Sequence, residues 1–360
     1  MQDHALSKWL SPLMAFCLSF IIIATLAPIT GIQIDRQLDF WLLWLTTMLI
    51  LALPLCYLEI ALAKRSKTTA LQALSSLTRD ADASSKWRLV AWFGAVFIPF
   101  LVGGMLSNAS LTLSQVALQG IAPNIVIVVL AVIAIAFSFV PRKITVLLTA
   151  LGVFASLLLA NVMGTQLPAW QVTPVEFSEW GSATVLALVA SGLGLGLYWQ
   201  SSLATVSQQN SATQSALPIW FAQLLAVIAF GFFAIKAAVP AYAVVFAAVM
   251  ASGLLLNMAR EQLQQRQIAV IVQWVVLLVP VFVWVIPSIS TVLNPVLVLW
   301  GLFICLIYAV FAGWIMKISH LRKSMNFSNE VVYNIWRIAV RIVLPLSIIL
   351  AMVAVIGKLF

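Results

Sequence analysis

Long apolar segments recur along the chain of 360 residues and are separated by short polar ones. Each has about 20 residues, the length that crosses the hydrocarbon core of a bilayer as a helix. They lack the short-range apolar and polar alternation of barrel strands. The pattern therefore predicts an all-α polytopic membrane protein with about 11 transmembrane helices. The predicted spans lie at roughly 10–31, 38–63, 89–117, 123–140, 144–166, 181–203, 214–236, 239–259, 267–287, 291–316 and 332–357.

The composition agrees with this pattern, since 63% of the residues are hydrophobic, 8% are charged and the mean hydropathy is +1.11. Cys17, Cys56 and Cys305 all fall inside predicted spans, which favours small core residues over a disulfide or zinc site. His4 and His320 lie in predicted cytoplasmic segments. The sequence also lacks a catalytic constellation, a P-loop and a CxxC motif. We therefore expect neither an enzyme nor a bound metal or cofactor.

The basic residues lie mostly on one side of the predicted membrane. With a cytoplasmic N-terminus, only Arg36, Lys236 and Lys358 fall outside, in agreement with the positive-inside rule. We therefore predict a multi-pass protein of the inner membrane with an external C-terminus. This topology accounts for the net charge of +9 without a nucleic-acid partner. A contact of the basic loop at 64–88 with anionic lipid or a partner protein is the alternative, and about 69–77 is predicted as a short surface helix.

Two spans have interrupted hydrophobicity: the first contains ATLAPITG (24–31), and the sixth contains ASGLGLGLY (190–198). A proline removes a backbone donor and glycines loosen a helix, so both segments could turn peptide groups toward a cavity. Each also has a simpler explanation. Pro28 could make a plain kink, and the glycines could allow close helix packing.

Four collinear stretches resemble one transporter family. They are FWLLWLTTMLILALPLCYLEIALAKRSKTTALQAL (40–74), KWRLVAWFGAVFIPFLV (86–102), the fifth and sixth spans with the segment between them (142–202), and VFAGWIMKISHLRKSMNFSNEVVYNIWRIAVRIVLPLSIIL (310–350). On these residues the chain resembles the neurotransmitter:sodium symporter family, the LeuT group.

The resemblance implies a LeuT-like 5+5 inverted repeat with one additional helix. Residues 1–166 would hold the first repeat, 167–317 an external loop and the second repeat, and 318–360 the eleventh helix. In such transporters the first helix of each repeat is broken near the midplane, and solute and ions bind at the breaks. The two interrupted spans are the first helices of these two repeats.

The resemblance also implies a set of candidate binding residues. Candidates for the solute are Thr25, Ala27, Pro28, Thr30, Ser107, Asn108, Ser191, Gly192, Gly194, Gly196 and Tyr198. Gln223 and Ser252 are the candidate ion ligands, and they form only a degenerate remnant of the family's ligand set.

Several ligand positions of the family carry the wrong chemistry in this chain. Pro28 stands where the family has an asparagine, and Val189 and Ala190 stand where it has a gating phenylalanine and a hydroxyl ligand. Sodium prefers several oxygen ligands, and leaving it partly dehydrated in an apolar interior costs several kcal/mol. We therefore expect no sodium coupling of the usual form.

The gates also depart from the family. The family seals its outer vestibule with a helical hairpin between the seventh and eighth spans, for which KAAVPAY (236–242) leaves no room. The outer gate is then either the segment 165–180 or absent. On the inner side, Lys8 and Trp9 resemble an arginine and tryptophan of the family's inner gate, with Glu261 as the acidic counterpart.

Three further charged residues lie in or near the spans. Glu59, in LCYLEIAL, is either a structural acceptor for the loose amides of 191–196 or a proton-linked carboxyl. Arg337 and Arg341 share one helix face, since they are four residues apart. They either reach to the inner headgroups or offer a docking face for a membrane protein or lipid.

The leading hypothesis is a symporter-like secondary transporter of a small, fairly apolar solute, such as an amino acid or amine, without ordinary sodium coupling. The alternative is a non-transporting LeuT-fold membrane subunit that binds a partner protein or lipid. This alternative is based on three joint losses: the family's ion ligands, the arginine and acidic residue that pair in its outer gate, and the helical hairpin over its outer vestibule.

Overall fold

The computed structural model describes residues 2–30, 37–163, 169–206, 209–231, 241–316, 318–327 and 329–358, without the side chains of 2–8, 116, 163, 241–242 and 318–320. The described residues form fourteen helices. These are α1 (Gln2–Thr30), α2 (Leu38–Ser66), α3 (Ala70–Asp80), α4 (Leu89–Val116), α5 (Pro123–Phe137), α6 (Arg142–Met163), α7 (Phe177–Leu188), α8 (Leu197–Val206), α9 (Thr213–Ala229), α10 (Ala241–Gln265), α11 (Val270–Phe282), α12 (Ser290–Ile315), α13 (Ile318–Met325) and α14 (Glu330–Gly357).

The predicted all-α, multi-pass architecture is confirmed. Seven helices are long and apolar enough to cross a membrane: α1, α2, α4, α6, α10, α12 and α14. Three shorter apolar helices are α5, α9 and α11, the last extended by a 3₁₀ turn at Val283–Val285. The halves α7 and α8 make the remaining span. The only β pairing in the described part of the chain is an isolated bridge between Gln37 and Gln171.

The most deeply buried side chains of the bundle lie on and around α1 and the segment between α7 and α8. Trp44, Trp199, Tyr198 and Phe20 are among the largest fully buried side chains. Helix α1 packs against α9, α10 packs against α6 and α4, and α14 packs against α7 and α12. Large apolar side chains are exposed on the outer helices, as with Ile271 on α11 at 79%, which is the expected state of a lipid-facing surface.

The predicted break in the first span is absent. Helix α1 is continuous from Gln2 to Thr30 and contains Pro28 near its end. Pro28 has no N–H for the carbonyl of Ala24, and Asn108 of α4 donates from Nδ2 to the neighbouring carbonyl of Thr25 (3.3 Å). Thr25 and Thr30 in turn donate to carbonyls of their own helix. Pro28 therefore lies within a continuous helix and not at a break.

Other expectations stay predictions. Arg36, Lys236 and most of 236–242 lie outside the described residues, as does the side chain of Lys8. The division at 166 and 317 is likewise untested. The surface helix predicted at about 69–77 is present as α3.

Candidate functional site

The sixth span is broken between α7 and α8. Residues 189–196 leave helical geometry, and Gly192, Gly194 and Gly196 have φ angles of +76°, +77° and +74°. This left-handed region is open to glycine and strained for other residues, so a glycine is required at every second position. Leu193 and Leu195 between them are buried. The glycine run thus encodes a compact reversal of the backbone in the middle of the bundle.

Glu59 of α2 holds the two ends of this break together. Its Oε2 accepts a hydrogen bond from the amide of Gly194 (3.1 Å), and its Oε1 accepts one from the amide of Trp199 (2.9 Å). Trp199 lies in the first turn of α8, where free amides and the helix dipole favour a negative charge. The geometry is that of the structural acceptor considered from the sequence.

Little free space surrounds this carboxylate. A cavity of ≈10 Å³ lined by Glu59, Gly194, Gly196 and Tyr308 lies beside it, which is at the lower limit for one water molecule. A methyl group added to Gly194 would lie 2.9 Å from Sγ of Cys305. Glu59 therefore contacts backbone amides in a tightly packed region.

The carbonyl of Ser191 is the most heavily bonded group of the break. It accepts hydrogen bonds from Ser19 Oγ of α1 (3.1 Å), from Gln223 Nε2 of α9 (3.2 Å) and from the Tyr198 hydroxyl. A carbonyl oxygen has two lone pairs, so three donors leave none for a cation. Gln223, a candidate ion ligand, thus points a donor at the oxygen that an ion would need. The sequence does not identify Ser19 as a donor to this carbonyl, because only the fold brings α1 beside it.

The other candidate residues are dispersed. The Ser252 hydroxyl is buried without a hydrogen-bond partner in the described structure, as is Oε1 of Gln223. Ser107 is buried and its carbonyl accepts from Ser110. Asn108 uses its amide on α1, as described above. Within the described residues, these groups do not come together as one ligand set.

At the C-terminal end of α1, its outer end in the predicted orientation, a cavity of ≈250 Å³ lies between α1, α7, α12 and α14. Lys358, just after α14, donates from Nζ to the carbonyl of Thr30 (3.2 Å) and to Oγ of Ser182 (2.9 Å). Burial lowers the pKa of Lys358, and Glu179 and Glu176 oppose this effect. Ile29, Val185 and Val298 supply apolar walls, and Asn294 adds a polar group. The sequence alone identifies Lys358 only as a positive charge on the predicted outer side of the membrane, and gives no sign of these contacts.

The segment proposed as an outer gate lies against the start of α2. The amide of Leu38 donates to the carbonyl of Gln171 (2.9 Å), and the amide of Thr173 donates to Asp39 (2.6 Å). These contacts place 171–173 beside α2. A gating role for 165–180 stays a prediction.

Glu261, near the C-terminal end of α10, has two side-chain partners on neighbouring helices, and its pairing with Lys8 stays a prediction. Its carboxylate forms an ion pair with Arg142 of α6 and accepts from Nε2 of Gln200 of α8 (2.8 Å). Trp9 is 75% exposed. The acidic residue therefore ties α6, α8 and α10 together. The sequence identifies Arg142 only as a positive charge on the predicted cytoplasmic side. Its pairing with Glu261 becomes visible only in the folded chain.

A second cavity lies between α1, α8 and α9, at the N-terminal end of α1, its inner end in the predicted orientation. It measures ≈260 Å³ and is lined by Trp9, Ser11, Pro12, Thr205, Gln209, Gln214, Ser215, Pro218 and Ile219. The two cavities thus lie at opposite ends of α1. The residues bonded to the Ser191 carbonyl lie between them.

Arg341 on the last span is held by a neighbouring helix. It donates from Nε to the carbonyl of Gly313 and lies over the ring of Trp314, with 5.5 Å from Cζ to the ring centre. The indole of Trp314 donates back to the carbonyl of Arg341 (3.0 Å). The contact attaches α14 to the end of α12. A docking role for Arg337 stays a prediction.

Comparison with known proteins identifies the fold. No family model and no curated protein matches the sequence. Among solved structures, MhsT in complex with L-phenylalanine matches with a TM-score of 0.66 and 13% identity, over 95% of this chain and 98% of that chain. The architecture is therefore that of the LeuT fold. At this identity, the likeness does not extend to solute or coupling.

We expect Glu59→Gln to lower the apparent Tm in detergent by more than Asp80→Asn does. The introduced side-chain amide would turn a donor toward one of the two backbone amides, and a hydrogen bond to a charged group is worth about 1.5–3 kcal/mol. Asp80 instead makes a surface ion pair with Arg65 (3.1 Å), a type worth about 0–1 kcal/mol. Equal losses of Tm would contradict the acceptor role.

Two glycine substitutions separate backbone strain from packing. Gly194 and Gly120 both have positive φ angles, but an added Cβ at Gly120 meets nothing within 4 Å. Alanine at either site costs roughly 1–2 kcal/mol of strain, and at Gly194 overpacking against Cys305 adds about 1–3 kcal/mol. Thermal unfolding of the two variants should show the larger loss for Gly194→Ala. A larger loss for Gly120→Ala would mean that the break is loosely packed.

Proposed function

We propose that the protein is a secondary transporter of a small, fairly apolar solute, such as an amino acid or amine, and that it works without ordinary sodium coupling. Membership of the neurotransmitter:sodium symporter family, the inner membrane and a cytoplasmic N-terminus belong to this proposal. The observation that carries it is the pair of cavities at opposite ends of α1, with the broken sixth span between them.

The chemistry of the two cavities supports a small solute of mixed character. Both are slightly smaller than the usual range of about 300–1,000 Å³ for drug-sized ligands. The outer one combines valine and isoleucine walls with Ser182, Asn294 and Lys358. The inner one combines Trp9 and two prolines with hydroxyl and amide groups. A neutral or zwitterionic solute suits both.

In a transport cycle by alternating access, the packed region between the two cavities would serve as the barrier that opens to one side at a time. In transporters built from inverted repeats, one part of the bundle rocks against another around a central site. Here α7 and α8 are separate rigid pieces joined by the glycine segment, so each can move with its own cavity. Opening toward either side would require some of the bonds at the Ser191 carbonyl to exchange for bonds to the solute.

The absence of sodium coupling rests on the same carbonyl. Three protein donors occupy it, and α1 is continuous where a broken first helix would have supplied further carbonyl ligands. A sodium ion at this position would need about six oxygen ligands. Coupling to protons, or facilitated movement with no coupling, fits the arrangement better.

The second candidate function is that of a non-transporting membrane subunit. The unbroken α1 and the filled Ser191 carbonyl favour it, because both leave the middle of the bundle closed. Such a protein would hold a partner in the membrane by its outer surface and would need no central opening.

Uptake into proteoliposomes tests the proposal. We expect accumulation of a labelled apolar amino acid, with L-phenylalanine as the first probe, above that in protein-free liposomes. The rate should be equal in sodium chloride and choline chloride. Gly194→Leu should abolish uptake, whereas Gly120→Leu, in open space, should retain it after the same purification.

Two outcomes would overturn the proposal. No uptake of any amino acid or amine in a panel, combined with a stoichiometric partner that survives mild detergent, would establish the subunit function. Uptake that requires sodium would refute the coupling claim while leaving transport intact.

A further inference from the structure

A cationic cavity lies at the opposite end of α14 from Lys358, where α13 turns into the last span. It measures ≈520 Å³ and is lined by Arg322, Lys323, Asn326, Phe327, Asn329, Glu330 and Tyr333. It belongs neither to the cavities at the ends of α1 nor to the broken helix. Arg322 and Lys323 are exposed, and the end of α13 and the start of α14 form its walls.

The floor of this cavity is a fixed aromatic layer. Phe327 packs against Tyr57 and Tyr333, with ring centres 5.3 Å and 6.4 Å away, and Tyr333 packs against Trp336 at 5.8 Å. The indole of Trp336 donates to the carbonyl of Pro54 on α2 (3.0 Å). The cavity is therefore built on the buried face of α14 and is anchored to the bundle.

Positive charge gathers around Tyr333. Cζ of Arg322 is 5.7 Å from its ring centre, and Arg337 follows Tyr333 four residues later on the same face of α14. Glu330 supplies a negative charge and forms an ion pair with Arg322. With Lys323 included, the cations outnumber this carboxylate, so the site favours an anion.

Helix α14, which begins at the cavity with Glu330, also carries an exposed apolar face. From Val331 onward, α14 exposes Val331, Ile335 and Ile338 at 60%, 62% and 51%, the lipid-facing side of a span. Trp314, 62% exposed, bonds the carbonyl of Arg341, about two turns beyond Tyr333 along α14. An occupant that uses both surfaces needs an anionic head and a long apolar tail. In the predicted orientation this cavity faces the cytoplasm, where membrane lipids are most anionic.

We propose that this cavity is a binding site for the headgroup of an anionic phospholipid, with the acyl chains lying along the exposed face of α14. The phosphate is held by Arg322 and Lys323, and Arg337 adds attraction from the side of the span. Glu330 competes with the phosphate for Arg322. The bound lipid therefore links α13 to α14.

The test compares lipids by thermal unfolding in mixed micelles. Phosphatidylglycerol should raise the apparent Tm of the full chain more than phosphatidylcholine does. Each cation near an anionic surface is worth about 1 kcal/mol, so R322Q/K323Q should lower the apparent affinity for phosphatidylglycerol, taken from the lipid dependence of the Tm, roughly fivefold for each charge removed. Arg79→Gln removes an exposed cation of α3 and should leave the effect unchanged.

A variant of opposite sign keeps the proposal falsifiable if R322Q/K323Q is unstable. Glu330→Gln releases Arg322, so it should increase the response to phosphatidylglycerol. An unchanged or smaller response would overturn the proposal. So would an equal effect of inorganic phosphate alone, which would mark an anion site without lipid, or an equal loss in Arg79→Gln, which would mark general surface charge.

Discussion

Every peptide group of a broken helix inside a membrane must find a hydrogen-bond partner within the protein, and this constraint governs the centre of the structure. Glu59 supplies two acceptor atoms to the amides of Gly194 and Trp199. Ser19, Tyr198 and Gln223 supply donors to the carbonyl of Ser191. Four helices, α1, α2, α8 and α9, are thus fixed around the break by side chains that satisfy its backbone.

The hydrogen bonds that satisfy the backbone of the break also limit which ligands the site can bind. An unpaired buried polar group costs about 1–3 kcal/mol, so the donors at Ser191 stabilise the closed bundle. A cation would have to displace them and replace their bonds with its own. The LeuT fold is retained here, while the carbonyl oxygen that could bind an ion is already engaged. Any solute that enters must offer hydrogen bonds of comparable quality.

How far the sequence predicts the structure depends on whether a feature is local. The glycines at 192, 194 and 196 predict the break, since their conformational freedom is a property of the residues themselves. Pro28 misleads because a proline near the end of a helix does not by itself end the helix, and α1 continues to Thr30. Glu59 is left between two roles by the sequence, and the folded chain shows the two amides from which it accepts. Ser19, Arg142 and Lys358 have contacts that only the packed bundle creates, so no pattern near them indicates their roles.

Hydrogen-bond donors of the protein occupy the Ser191 carbonyl oxygen that a cation would need, and the proposed lack of sodium coupling depends on this arrangement. A thermal unfolding titration with sodium chloride, matched in ionic strength by choline chloride, measures it directly. We predict the same apparent Tm in both salts at every concentration, for the native chain and for Gln223→Leu relative to its own baseline. A saturable rise specific to sodium, lost in Gln223→Leu, would contradict the claim.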